Sequence, residues 1–242
     1  MVTAAWAAVG IAAAAIFSMG GVVFGVASLY PVLYSEHVLE RSSCTAAEAN
    51  ICAARNLAEK CCDAQQVQYT LMSSVALFAA DGAMLLYGEL GDRAGPRSCF
   101  GTGAVLAWLA LGLMALNVRL QSDALWYGAF FALGCSGPGV FMGCLFLGER
   151  YPEMRSVISG VGASMWDGSA MVFLLFNTAY FATATEGARP SFGLDAICLA
   201  WLGLSAVVGV ACWFQLPSWK LVVELRAGAG GAGTQPLAAA DS

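Results

Sequence analysis

Charge is scarce in this chain of 242 residues. Lys and Arg together number 11, Asp and Glu 16, and charged residues make up 11% of the total. A soluble domain carries about a quarter, so this chain cannot cover a water-facing surface of its size. The basic residues form no stripe and the net charge is −5. That excludes a nucleic-acid partner, because phosphate binding needs concentrated Lys and Arg. The sole histidine, His37, lies in a polar stretch and reads as a surface residue. The nine cysteines follow no zinc spacing, and no nucleophile stands with a partner base. No enzymatic activity, no cofactor and no metal site are expected.

What the chain does have is apolar sequence: 59% of residues are hydrophobic and the mean hydropathy is +0.71. A helix needs about 20 mostly apolar residues to cross the hydrocarbon of a bilayer. Six such runs are present, at about 8–34, 69–87, 98–116, 125–147, 157–181 and 194–216. The sequence therefore predicts an all-α membrane protein of six transmembrane helices, with the lipid bilayer as its solvent. A cleaved signal peptide has a charged start and a shorter apolar core, whereas this chain begins without basic residues, so the first helix is expected to be retained. Residues 1–217 form the expected transmembrane domain. Residues 218–242 decay into Ala and Gly and are expected to be a flexible cytosolic tail.

Orientation follows from the arginines. Arg93 and Arg97 share one short turn between apolar runs, Arg150 and Arg155 another, and such residues stay on the cytosolic side. Both termini are then cytosolic, and the polar loop 35–68 lies outside. That loop holds Cys44, Cys52, Cys61 and Cys62, which points to a disulfide in an oxidising compartment, with the pairing open. Cys99, Cys135, Cys144, Cys198 and Cys212 lie in or beside apolar runs, where a thiol behaves as a small hydrophobe.

The turn between the second and third runs reads Gly88-Glu89-Leu90-Gly91-Asp92-Arg93-Ala94-Gly95-Pro96-Arg97. Glycines allow a tight turn, and Pro96 can open the next helix without losing a needed donor. Asp92, Arg93 and Arg97 are expected to form an ionic cluster there. Glu149 and Arg150 end the fourth run and are candidates to pair with Arg93 or Arg97. The pattern resembles the G-x-L-x-D-R-x-G-x-R loop of the major facilitator superfamily. That resemblance implies an N-terminal half-bundle of two inverted three-helix repeats. It also implies a gating role for Gly88, Gly91, Asp92, Arg93, Gly95 and Arg97, with Glu149 and Arg150 beside them.

Further stretches narrow the resemblance. They are Phe24 to Leu29 with Glu36, Cys62 to Gln66, and Arg155 to Phe176. Together these resemble solute carriers of the 43 type, sodium-independent transporters of large neutral amino acids, with Gly168 standing where a serine is usual. The resemblance implies alternating access, a neutral amino acid as solute, and the plasma membrane as location.

Asp167 lies ten residues into the fifth run, about 15 Å deep at 1.5 Å per residue, near the middle of a hydrocarbon layer of roughly 30 Å. A carboxylate there costs about 2.5–3.5 kcal/mol on insertion scales, and no Lys or Arg of the runs offsets it. It faces either a solute or hydroxyls such as Ser164 and Ser169. Asp81, in the second run, is read as bonded to hydroxyls of the fourth, the alternative being a gating network with the turn at 88–97. Gly137-Pro138-Gly139 is the hinge candidate. By depth and by resemblance, Gly25, Ser28, Gly137 and Asp167 are the expected substrate-binding residues. Six helices are half of such a transporter, so a second copy or a missing C-terminal half is an expected partner. The alternative is a non-transporting membrane protein that binds and regulates a full-length relative.

Overall fold

The computed structural model describes residues 2–45, 62–182 and 192–224. They are helical, with no strand among the described residues. In chain order come α1 (Val2–Met19), a 3-10 stretch (Val22–Leu29), α2 (Tyr30–Ser35), α3 (Glu40–Ser43), α4 (Asp63–Ala94), α5 (Pro96–Leu120), α6 (Asp123–Leu145), α7 (Leu147–Arg150), α8 (Arg155–Gly168), α9 (Met171–Ala182) and α10 (Leu194–Gln215).

Five helical segments are long and apolar enough to cross a membrane: Asp63–Ala94, Pro96–Leu120, Asp123–Arg150, Pro152–Ala182 and Leu194–Gln215. A sixth crossing, first in the chain, is obtained when Thr3–Met19 and Val22–Ser35, bent by 43° at their junction, count as one. The helices outrun the apolar runs. α4 has 32 residues, about 48 Å at the α-helical rise, because its polar ends remain helical beyond the hydrocarbon.

The first crossing bends at Gly20 and Gly21 for a packing reason. A β-carbon on Gly21 would stand 2.4 Å from the Trp166 carbonyl oxygen, and one on Gly25 would stand 1.8 Å from that of Ala170. The first and fifth crossings therefore touch backbone to backbone, which small residues permit. Beyond the bend the chain tightens into a 3-10 stretch of 8 residues, longer than the usual three or four. The fifth crossing is itself broken between α8 and α9, at residues 169–170. At the expected hinge Gly137–Gly139, α6 runs unbroken through Pro138; the interruptions lie in the first crossing, in the fourth at residue 146 and in the fifth at residues 169–170.

The main neighbours are crossings three and four, two and four, three and six, one and five, one and four, and one and six. This set is unchanged when one, two and three are exchanged with four, five and six. Exchanged crossings are three steps apart in chain order, with two crossings between them, so matched helices run in opposite directions. One apolar core gathers Tyr69, Trp126, Phe130, Phe173 and Phe176, and another Ile16, Met19, Phe100, Leu147 and Cys212.

The tail begins later than the sequence implied. Residues 219–224 are helical, Val222 is fully buried, and Trp219 packs where a β-carbon on Gly95 would be, 2.9 Å away. The rest of the expected tail, 225–242, lies outside the described residues, as do Cys52 and Cys61.

Candidate functional site

α8 presents an unusual outer face for a membrane helix. Ser159, Gly160, Ala163, Ser164 and Asp167 are all exposed. The outward faces of α5 and α10 carry Val105, Leu109, Leu116, Leu204, Val207, Val210 and Phe214 instead. Aliphatic faces suit lipid. A small and polar face with a carboxylate at mid-depth does not, given the cost of an ionised group in hydrocarbon.

Asp167 is exposed, and among the described residues its carboxylate has no hydrogen-bond or ion-pair partner. The two hydroxyls expected as its alternative partners are committed elsewhere: Ser164 donates to the Gly160 carbonyl at 3.0 Å and Ser169 to the Trp166 carbonyl at 2.6 Å. The packing explanation for Asp167 therefore lacks its bonds. Beside it, the Trp166 ring lies 5.8 Å from that of Phe24 and 4.9 Å from that of Phe141. Phe24 is 48% exposed. Only contact across three crossings reveals this aromatic group.

The other expected binding residues are placed differently. Gly25 is buried under Ala170, and Gly137 is buried with its absent β-carbon 2.0 Å from the Gly20 carbonyl oxygen. Both serve close helix contact and present no open surface. Ser28 is half-buried, and its carbonyl accepts from Asn177 Nδ2 at 2.6 Å. Among the four, Asp167 alone is exposed.

α4 carries a second polar face. Thr70, Ser74, Asp81, Gly88 and Asp92 are all exposed and fall within an arc of about 40° at 3.6 residues per turn. Leu71, Phe78 and Leu85 flank it. Asp81 does not bond α6 as expected, since Ser136 of that helix donates to the Leu133 carbonyl at 2.7 Å.

At the end of the bundle holding the 88–97 turn, Gly95 adopts φ +85°, a conformation suited to glycine, and Pro96 opens α5. Gly91 is buried against Cys99 and Phe146, and Gly88 is open. The expected ionic cluster is arranged otherwise. Arg93 pairs with Glu89 at 2.5 Å, one turn earlier on its own helix, and Glu149 pairs with Arg155 at 2.7 Å rather than with Arg93 or Arg97. Arg97 donates through Nε to the Leu216 carbonyl at 3.1 Å, and Arg150 to the Gln215 carbonyl at 2.7 Å. The last turn of a helix leaves carbonyls unpaired and carries partial negative charge, so two guanidinium groups there are well matched.

The opposite end is closed by hydrogen bonds. Gln65 Nε2 and the Tyr69 hydroxyl both donate to the Val38 carbonyl, at 2.9 and 2.8 Å, and the Tyr180 hydroxyl donates to Glu36 at 2.9 Å. A disulfide joins Cys44 to Cys62 across 18 residues, which settles a pairing that spacing left open. Among the described residues no three His, Cys, Asp or Glu side chains gather as a metal site would require.

Set against known proteins, the chain is 27% identical over 163 residues to a protein of Saccharomyces cerevisiae named Protein FMP42. The match covers 66% of this chain and 30% of the yeast protein, so the chain spans about a third of its relative's length. No family model matches the chain, and no solved structure does.

Proposed function

We infer that this chain is a half-bundle of the major facilitator type that moves a small polar solute across a membrane by alternating access. The observation that carries the reading is Asp167, an exposed carboxylate without a partner among the described residues, at mid-depth in a membrane helix. Transporters hold their cargo near the bilayer midplane, between repeats. The neighbour pattern that survives exchange of the first three crossings with the last three supports a repeat, as does the loop at 88–97.

In this reading Asp167 receives a cationic group. The Phe24, Phe141 and Trp166 rings receive an apolar one, as a large neutral amino acid with its ammonium group would require. The polar faces of α4 and α8 front a cavity that a second half closes, supplied by another copy or by further chain. The breaks in the first and fifth crossings, which meet at Gly21 and Gly25, are where the bundle flexes. The plasma membrane, with cytosolic termini, is the proposed location.

The test is leucine uptake into proteoliposomes. Saturable uptake that disappears in Asp167→Asn, with protein amount and insertion unchanged, supports the reading. Uptake unaffected by Asp167→Asn removes the carboxylate from the site, and no uptake by correctly inserted monomer or dimer removes transport by this chain alone.

A further inference from the structure

A groove of about 750 Å³ runs between α5 and α10 on the outside of the bundle, away from the polar faces of α4 and α8. Its walls include Phe100, Val105, Trp108, Val210, Trp213 and Phe214. Two glycines shape it. A β-carbon on Gly101 would stand 2.3 Å from the Trp213 ring, and one on Gly209 would stand 2.9 Å from that of Trp108, so each indole lies over a position with no side chain. The volume is in the range that accepts one elongated small ligand. The surrounding faces of both helices are aliphatic, so lipid is the medium that meets this groove.

One end of the groove is not apolar. Arg97 and Ser98 line it there, at the end where α10 finishes. Arg97 is held to the Leu216 carbonyl and Arg150 to the carbonyl of the preceding residue, Gln215. Both guanidinium groups are thus anchored within one residue of each other along the chain. Among the described residues no carboxylate pairs with either. Two acids close by in sequence are committed to other arginines, Glu89 to Arg93 and Glu149 to Arg155. Arg97 at the mouth of an apolar groove between membrane helices, and Arg150 anchored one residue away at the end of α10, neither with a carboxylate partner among the described residues, form an arrangement suited to an anionic lipid headgroup.

We propose that the groove between α5 and α10 is a seat for one anionic phospholipid. Its acyl chain lies along Trp108 and Trp213, and its phosphate meets Arg97 and Arg150. The site uses none of the surface around Asp167, although it shares Arg97 and Arg150 with the residues that the transport reading assigns to gating; the lipid readout below does not depend on transport.

Trp108 and Trp213 supply the readout. The full chain is placed in phosphatidylcholine bilayers containing increasing fractions of phosphatidylglycerol or phosphatidylcholine brominated on the acyl chain, and tryptophan quenching is followed. Quenching by brominated phosphatidylglycerol is expected at the lower mole fraction, by about fivefold for each arginine engaged. Arg97→Gln and Arg150→Gln each narrow the gap between the two lipids. Val105→Phe fills the groove and removes the preferential quenching, and so does Trp213→Phe; a circular-dichroism melt confirms that each variant is folded. Equal quenching by both lipids, unchanged in Arg97→Gln, would mean ordinary annular lipid and overturn the proposal. Cross-linking of Val105→Cys between copies, with no lipid preference, would assign the groove to a second copy and overturn it equally.

Discussion

Gly25 lies directly beneath the carbonyl of Ala170, so close that a β-carbon on residue 25 would stand 1.8 Å from the oxygen. A comparable approach joins Gly137 to Gly20, at 2.0 Å. Gly25→Ala and Gly137→Ala are each expected to destabilise the bundle by about 1–3 kcal/mol, the usual cost of overpacking. Gly160→Ala, where a β-carbon meets nothing within 4 Å, is expected to be neutral or stabilising by up to about 1 kcal/mol. Thermal unfolding in detergent separates the two classes. Equal melting temperatures for all three would refute the backbone contacts.

The exposed faces of the bundle are expected to label differently. Cysteines placed at Ser74, Asp81, Ser164 and Asp167 should react in the membrane with a charged thiol reagent, because a polar face fronts water. Cysteines at Val207 and Val210 should not, since these residues belong to an aliphatic face. Labelling at Val207 and Val210 but not at the four polar positions would reverse the assignment of faces.

Arg97 and Arg150 hold the end of α10, and Trp219 then packs on Gly95. Loss of either arginine removes a charge-assisted bond to a helix C-terminus, a contribution of about 1 kcal/mol. The expected result of the double change to alanine is faster proteolysis at residues 219–224. Unchanged cleavage would show that Trp219 and Val222 suffice to hold the segment.

The Cys44–Cys62 disulfide closes a loop with a separation of 18 residues. Loop-closure entropy assigns such a link about 3 kcal/mol. Reduction, or Cys44→Ser with Cys62→Ser, should lower the unfolding temperature. Mass spectrometry after alkylation without reductant should find both thiols blocked; free thiols at these positions would contradict the pairing.

Hydropathy made the crossings legible, because the cost of exposing polar backbone and side chains to lipid leaves long apolar runs no other place. It placed them but misjudged their ends: α4 extends six residues earlier and seven later than the run at 69–87, as a helix ladder continues into water without hydrophobic residues. The breaks at Gly20–Gly21 and after Gly168 sit where Gly21 and Gly25 meet the Trp166 and Ala170 carbonyls, a contact between distant segments that hydropathy does not encode.

The sequence by itself determined that the chain is helical and suited to lipid, that its short arginine-bearing turns lie at helix ends, and that Asp167 falls at mid-depth. These follow from local composition and from the rise of a helix. Only the tertiary structure decided which groups meet. Gly25 and Gly137 proved to be contact points between backbones. Arg97 and Arg150 reach α10 carbonyls more than sixty residues away, and Cys62 pairs with Cys44. Asp167 is left without the hydroxyls that flank it in sequence. Partners distant along the chain are chosen by how helices pack, and side-chain spacing within one helix does not encode that choice.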